Sequence, residues 1–276
     1  MTQMHGATSA FEQDTACSRV SEGWAAEVSS RWSIGTRPNG GYLMALAARA
    51  MLGESARADP LTLTAHYLVP PSPGPALLRT EVVKAGRTLA TVRAQLCQGG
   101  KDHLELLGAF GDLGAQRGPT RRCAPAPQIP GPDQCVPLAV LTGSGGGPLL
   151  AFMQRFDIRI PPETTWGGAG GEEMVITGWI RFSDGAEPSV LSLLCFVDSF
   201  PPALMGSIHT GWVPTLELTV HVRGRPVPGW VLGRFSTRLL VDGLFEEDGE
   251  LWDADGRLVA MSRQLALILQ PRVTMR

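Results

Sequence analysis

LELTVHVRGRPVPG, residues Leu216–Gly229, decides the fold, because the chain contains it twice. Leu61–Gly74 reads LTLTAHYLVPPSPG and aligns with it without a gap, 155 residues earlier. Leu61/Leu216, Leu63/Leu218, Thr64/Thr219, His66/His221, Pro71/Pro226, Pro73/Pro228 and Gly74/Gly229 are identical. The same spacing pairs Gly23-Trp24 with Gly178-Trp179. Each copy reads as a strand entering a Pro/Gly turn. Self-similarity at a domain-sized period implies two tandem copies of one fold rather than a solenoid.

Outward from the repeat, the first copy is strand, helix, then strands. Gly23–Arg37 forms a first strand region, and YLMALAARAML (42–52) is a helix of strong formers expected to end at Gly53. Only Arg49 interrupts its apolar surface, so the helix is expected to be buried. Strands follow at 61–69, 76–84, 88–98 and 103–110. In the second copy, strands are expected at 156–162, 172–182, 215–223, 230–241, 244–253 and 257–269. Its helix is Ser189–Val197, with Ser189 as N-cap and Pro201-Pro202 as the stop. The stretch from Gly111 to about Gly147 is dense in Pro, Gly and Ala and reads as a linker. Residues 1–18 read as a polar, mobile start. The expected organisation is a first copy at 19–112, a linker at 113–148 and a second copy at 149–271.

Composition narrows the function. The chain has 276 residues, 43% of them hydrophobic, which is enough for two cores of ordinary size. A net charge of −2, with no basic cluster larger than Arg121-Arg122, argues against nucleic acid. No run approaches the ~18 apolar residues of a membrane span. The N-terminus lacks a basic start and an apolar stretch, so no signal peptide is expected and a cytoplasmic location is the default. Five cysteines (17, 97, 123, 135, 195) form no CxxC pair, so neither zinc nor a disulfide framework is expected. There is no P-loop, GxSxG elbow or GxGxxG. The glycine runs at 143–147 and 167–171 read as loops.

A few polar residues do not fit a core. Asp198 follows the apolar helix SVLSLLCFV. The negative end of that helix and apolar surroundings would both raise its pKa and suit it to act as a base; alternatively it faces water beside Pro201-Pro202. On the last strand, Leu258, Ala260, Ser262, Gln264, Ala266 and Ile268 share one face, so Gln264 lies either in a cleft among small residues or on a solvated surface. Thr215 opens the repeated strand, where threonine is also ordinary. His66 and His221 are symmetry mates, as structural histidines often are. Gly40-Gly41 opens the first helix, either as a tight turn or to present free N–H groups to an oxygen gaining charge.

These residues together resemble the type II acyl-CoA thioesterases and their thioesterase-like relatives, from about residue 19 to 270. The resemblance implies an α+β double hotdog: two tandem copies of a curved antiparallel sheet, each wrapped on a long central helix. It carries the family's catalytic Asp onto Asp198 in FVDSFPP, its Thr onto Thr215 in VPTLELTVHV, and its Gln onto Gln264 in LVAMSRQ. Well-known members carry Asp-His where this chain has Glu217 and Leu218. The first copy has no acid matching Asp198, and Ala109 or Phe110 falls where Gln264 would repeat. The implied activity is hydrolysis of an acyl-CoA thioester by a directly activated water, with Gly40 and Gly41 contacting the substrate. No cofactor or metal is expected. An acyl-carrier partner, homo-oligomerisation, and acyl binding without hydrolysis stay open as alternatives.

Overall fold

The computed structural model describes residues 8–115, 117–122, 125–141, 152–163, 174–206 and 213–269. The glycine runs 143–147 and 167–171, His5, His209 and Cys123 lie outside these.

The repeated stretches form adjacent strands, Asp59–Tyr67 and Thr215–Val222, which pair antiparallel with each other. Thr64 faces Thr219, with their hydroxyls 2.9 Å apart. Residues equivalent in sequence thus meet across a local two-fold axis. From that axis the strand order runs outward in both directions with the same logic. On one side lie Lys101–Gly111, Ala90–Gln98, Gly74–Ala85, Gly23–Val28 and Cys17–Val20. On the other lie Leu258–Leu267, Leu244–Trp252, Val231–Thr237, Met174–Phe182 and Phe156–Ile160. With the short strands Val136–Pro137 and Leu240–Val241, these form among the described residues a single antiparallel sheet of 14 strands.

Alternation along the strands sets the inner face. Leu218, Val220 and Val222 are buried on one repeat strand, and Leu63 and Ala65 on the other. The long helix, Gly40–Ser55, lies on this face. Its buried run from Gly41 to Ala48 makes it apolar nearly all round. It passes through Gly53 and ends at Ala56, which takes a left-handed conformation. Gly53 is not the stop expected from the sequence. A Cβ there would meet the Trp24 ring at 2.5 Å, so the glycine is a notch that seats the indole.

The shorter helix, Val190–Phe196, is capped by Ser189, whose hydroxyl accepts from Ser192 N–H. The two helices touch at Gly41, where a Cβ would lie 2.7 Å from the Leu194 carbonyl oxygen and 2.8 Å from Asp198 Cβ. One main core therefore contains residues from both helices, where the sequence suggested two.

The N-terminal segment differs from the mobile start expected. Ala10–Asp14 is helical and Phe11 is only 2% exposed. Phe11 packs on Trp32 from the first half and on Phe182 from the second. The stretch read as linker also packs in part: Val136–Pro137 pairs with Phe156–Ile160, and Trp179 Nε1–H donates to the Pro130 carbonyl. Prolines remove donors but leave carbonyls free to accept, so a Pro-rich strap fits an edge strand.

Gly41→Ala tests the helix contact. Backbone oxygens cannot move aside as a flexible side chain would, so the variant is expected to lose about 1–3 kcal/mol. A thermal melt would show this as a drop of about 2–4 °C per kcal/mol. An unchanged melting temperature would contradict the close approach.

Candidate functional site

Asp198 lies just past the shorter helix, and its carboxylate turns toward the start of the long one. Oδ2 accepts from Gly41 N–H at 2.8 Å and from Asn39 Nδ2 at 2.9 Å. Asn39 Nδ2 also donates to the Asp198 backbone carbonyl at 2.8 Å. Asn39 is the N-cap of the long helix, and its Oδ1 accepts from Tyr42 N–H. One side chain therefore caps the helix and grips the acid. Both donors, Gly41 N–H and Asn39 Nδ2, engage the same oxygen, Oδ2. Burial pushes the Asp198 pKa up to about 6, against the pull of hydrogen bonds from Gly41, Asn39 and Gly40. The Gly41 N–H is thus engaged with Asp198, not free for a substrate oxygen as one sequence reading had it.

Thr215 and Gln264 are brought together by a bulge. Register shifts between Thr215 and Glu217, so Leu216 has no partner on Leu258–Leu267. An extra residue re-aims the side chain beside it, and Thr215 O–H donates to Gln264 Oε1 at 2.9 Å. Gln264 is 7% exposed and lies on the inner face with Ser262 and Ala266. Its Nε2 donates to Glu247 Oε1 at 3.0 Å, and Ala203 N–H donates to Glu247 Oε2 at 2.6 Å. Burial pushes the Glu247 pKa up to about 7, with Asp198 among the smaller causes.

Asp198, Thr215, Gln264 and Gly40 all line one cavity of about 530 Å³. The rest of its wall is largely apolar, including Leu43, Val69, Phe152, Phe200, Met205 and Phe245. Tyr67 also lines it, with its ring against Gly40 and its buried hydroxyl making no hydrogen bond among the described residues. A more open depression of about 580 Å³, bordered by Arg234, Arg238 and Arg263, contains none of the candidate residues.

His66 and His221 are exposed, and they sit on the outer face of the repeat strands, opposite Glu217 and Thr62 in register. Their symmetry reflects the duplication and places neither in the cavity. Strand pairing also corrects the first-copy match to Gln264. Leu218 faces Gln264 and its equivalent Leu63 faces Gly108, so the counterpart is Gly108 rather than Ala109 or Phe110. Thr215 corresponds to Pro60, and Ala48 stands as far from the N-cap Asn39 as Asp198 does from Ser189. The first copy thus has none of the three groups, yet Asn39 and Gly41 from it hold the acid of the second.

Asn39 and Glu247 were missed in the sequence. Glu247 carried a signal: Phe245, Glu247, Gly249 and Leu251 alternate on the buried face of FEEDGELW. Asn39 carried none beyond its fitness as a cap, because its second bond spans 159 residues.

The raised Asp198 pKa has a stability consequence. The folded value near 6 exceeds the ordinary 3.8, so the fold favours the protonated form. That contribution is complete below 3.8 and lost as pH rises through about 6. Asp198→Asn has no such loss, so its melting temperature is expected to gain on the wild type between pH 4 and pH 8. A pH-independent difference between the two melting curves would contradict the shifted carboxyl.

Comparison with known proteins gives the family and the fold. A family model described as the acyl-CoA thioesterase N-terminal domain matches residues 28–112, and one described as the acyl-CoA thioesterase C-terminal domain matches residues 122–268. A Thermobifida fusca protein provisionally named thioesterase II has a crystal structure similar to this chain, with 34% identity and a TM-score of 0.86. The match covers 95% of this chain and 98% of that one. A hot dog fold protein from Alicyclobacillus acidocaldarius has a TM-score of 0.84 at 20% identity, covering 96% of this chain and all of its own. The uncharacterized protein Rv0499 of Mycobacterium tuberculosis is 30% identical over 272 residues, covering 91% of each chain. The architecture is a hotdog fold, and the chain belongs to the acyl-CoA thioesterase family.

Proposed function

We propose that this protein hydrolyses acyl-CoA thioesters by direct attack of water, releasing a fatty acid and CoA. The observation that carries the reading is a carboxylate tuned upward, Asp198, in the same apolar cavity as a hydroxyl and an amide already hydrogen-bonded to each other. A pKa of about 6 leaves Asp198 ionised at neutral pH, yet more basic than an ordinary carboxylate.

In this mechanism Asp198 Oδ1 accepts a proton from the water as its oxygen bonds to the thioester carbonyl carbon. The Thr215 proton is committed to Gln264, so Thr215 Oγ1 is free to accept a hydrogen bond from the water's second O–H, which stays on the attacking oxygen. The second Nε2–H of Gln264 donates to the water oxygen. The C–S bond then breaks, and Asp198 returns its proton to the departing sulfur. Gly40 lets the acyl carbonyl approach the positive end of the long helix, where the developing oxyanion is stabilised. Gly41 acts one step removed, holding Asp198 in place. The apolar wall receives the acyl chain, a class of surface suited to an alkyl or aryl group rather than a charged one.

We read the whole as a double hotdog. Residues 19–112 form a copy without catalytic groups, 113–148 form the connecting strap, and 149–271 form the copy that carries Asp198, Thr215 and Gln264. The antiparallel meeting of Thr64 and Thr219 supports this reading.

A thiol-release assay over acyl-CoAs of increasing chain length tests the proposal. Wild-type turnover is expected to rise with pH through about 6. Asp198→Asn is expected to lower kcat about 10²–10⁴-fold, the contribution of one positioned base. Thiol release undiminished in Asp198→Asn, or saturable acyl-CoA binding with no turnover in the wild type, would contradict it.

A further inference from the structure

We infer that Glu247 is a positioning residue: it fixes which end of the Gln264 amide faces Thr215, and so which way the Thr215 hydroxyl proton points. The inference rests on reading Thr215 and Gln264 as the groups that hold the attacking water.

Glu247 is 4% exposed and lies on the inner face of its strand, directly opposite Gln264 on the next one. It is flanked by Phe245 and Gly249 on that face. No Lys or Arg is among its hydrogen-bond partners or the causes of its pKa shift. A buried carboxylate without a cation costs stability relative to an apolar residue. Its retention therefore calls for a reason other than packing.

The hydrogen-bond chain supplies one. An amide of this kind is a reversible piece: either its oxygen or its nitrogen can face a given neighbour. Above its pKa of about 7 the Glu247 carboxylate is ionised and only accepts, so there it admits only the nitrogen end of Gln264. With Nε2 held by Glu247, Oε1 must face Thr215, and the Thr215 hydroxyl must donate to it. Thr215 then offers lone pairs to the cavity, as a water giving its first proton to Asp198 requires. Reversing the amide would turn the Thr215 proton toward the water and set two donors against each other. The other oxygen of Glu247 is occupied by Ala203 N–H, so the carboxylate cannot swing away from Gln264 without leaving that amide unpaired. Ala203 belongs to the Pro201–Gly206 segment, whose Pro202 and Met205 line the cavity. One carboxylate thus ties the polar end of the cavity to its apolar wall.

Glu247→Gln separates this role from a structural one, because it keeps the shape and removes the acceptor-only character. Thiol release would be measured above pH 8, where Glu247 is ionised, for wild type, Glu247→Gln, Gln264→Ala and the double variant. Glu247→Gln is expected to lower kcat about 10–100-fold, the scale of groups that orient a reacting residue. KM is expected to stay within about twofold, since no substrate contact is lost. Added to Gln264→Ala, Glu247→Gln is expected to cause no further loss, because it acts only through Gln264. Full kcat in Glu247→Gln, or losses that multiply in the double variant, would overturn the assignment.

A second readout needs no turnover. The Gln264 side-chain amide, assigned by its disappearance in Gln264→Ala, is expected to show one proton shifted downfield and slow to exchange. That signal is expected to move or split in Glu247→Gln. A Gln264 amide unchanged by Glu247→Gln would refute the positioning role even if no acyl-CoA were hydrolysed. Absence of turnover in the wild type would instead count against the thioesterase reading.

Discussion

The structure depends on one contact, the grip of the long helix's N-terminus on Asp198. Gly41 N–H and Asn39 Nδ2 both donate to Oδ2. Burial alone would drive the acid strongly toward its neutral form, and those donors, at the positive end of the helix, restrain the shift. The contact also requires close helices. Gly41 is the residue that permits the approach, since any Cβ there would strike the Leu194 carbonyl. Packing, capping and electrostatics thus converge on two residues of one helix start, Asn39 and Gly41, more than 150 positions from the acid they serve.

Through this contact the first half of the chain takes part in the cavity of the second, although it has no side chains matching Asp198, Thr215 and Gln264. Ala48, Pro60 and Gly108 stand where the second copy has Asp198, Thr215 and Gln264. None can donate or accept through a side chain. The first copy instead contributes the helix terminus and, through Tyr67, Leu68 and Val69, part of the cavity wall. The aromatic set of Phe11, Trp32, Phe156 and Phe182 holds the halves in a single core. Separate halves would leave both the acid and this cluster unsupported.

Much of the fold was legible in the sequence because the signals were local or repeated. The self-similar stretches named the two central strands, and the apolar helix and Ser189 cap marked the elements packed inside. Period-two alternation put Gln264 on one face with Ala260, Ser262 and Ala266, and left open whether that face was a cleft or a solvated surface. What stayed hidden was long-range. Gly53 has the look of a helix stop, but the chain uses it to seat Trp24. Gly41 has the look of a free anion cradle, but it is spent on Asp198. Phe11 lies in a polar N-terminal stretch whose packing depends on Phe182 from the second half of the chain. Counting along a strand also misplaced the first-copy counterpart of Gln264, because bulges shift the frame and only the pairing register reveals Gly108.

The central claim is that the first half of the chain holds and tunes the acid carried by the second. Titration of the Asp198 carboxyl, followed by its carbon-13 NMR signal in the wild type and in Asn39→Ala, tests it most directly. The account predicts a wild-type midpoint near 6 and a higher one in Asn39→Ala, where a donor to the ionised form is gone. A midpoint near the ordinary 3.8, indifferent to Asn39→Ala, would contradict it.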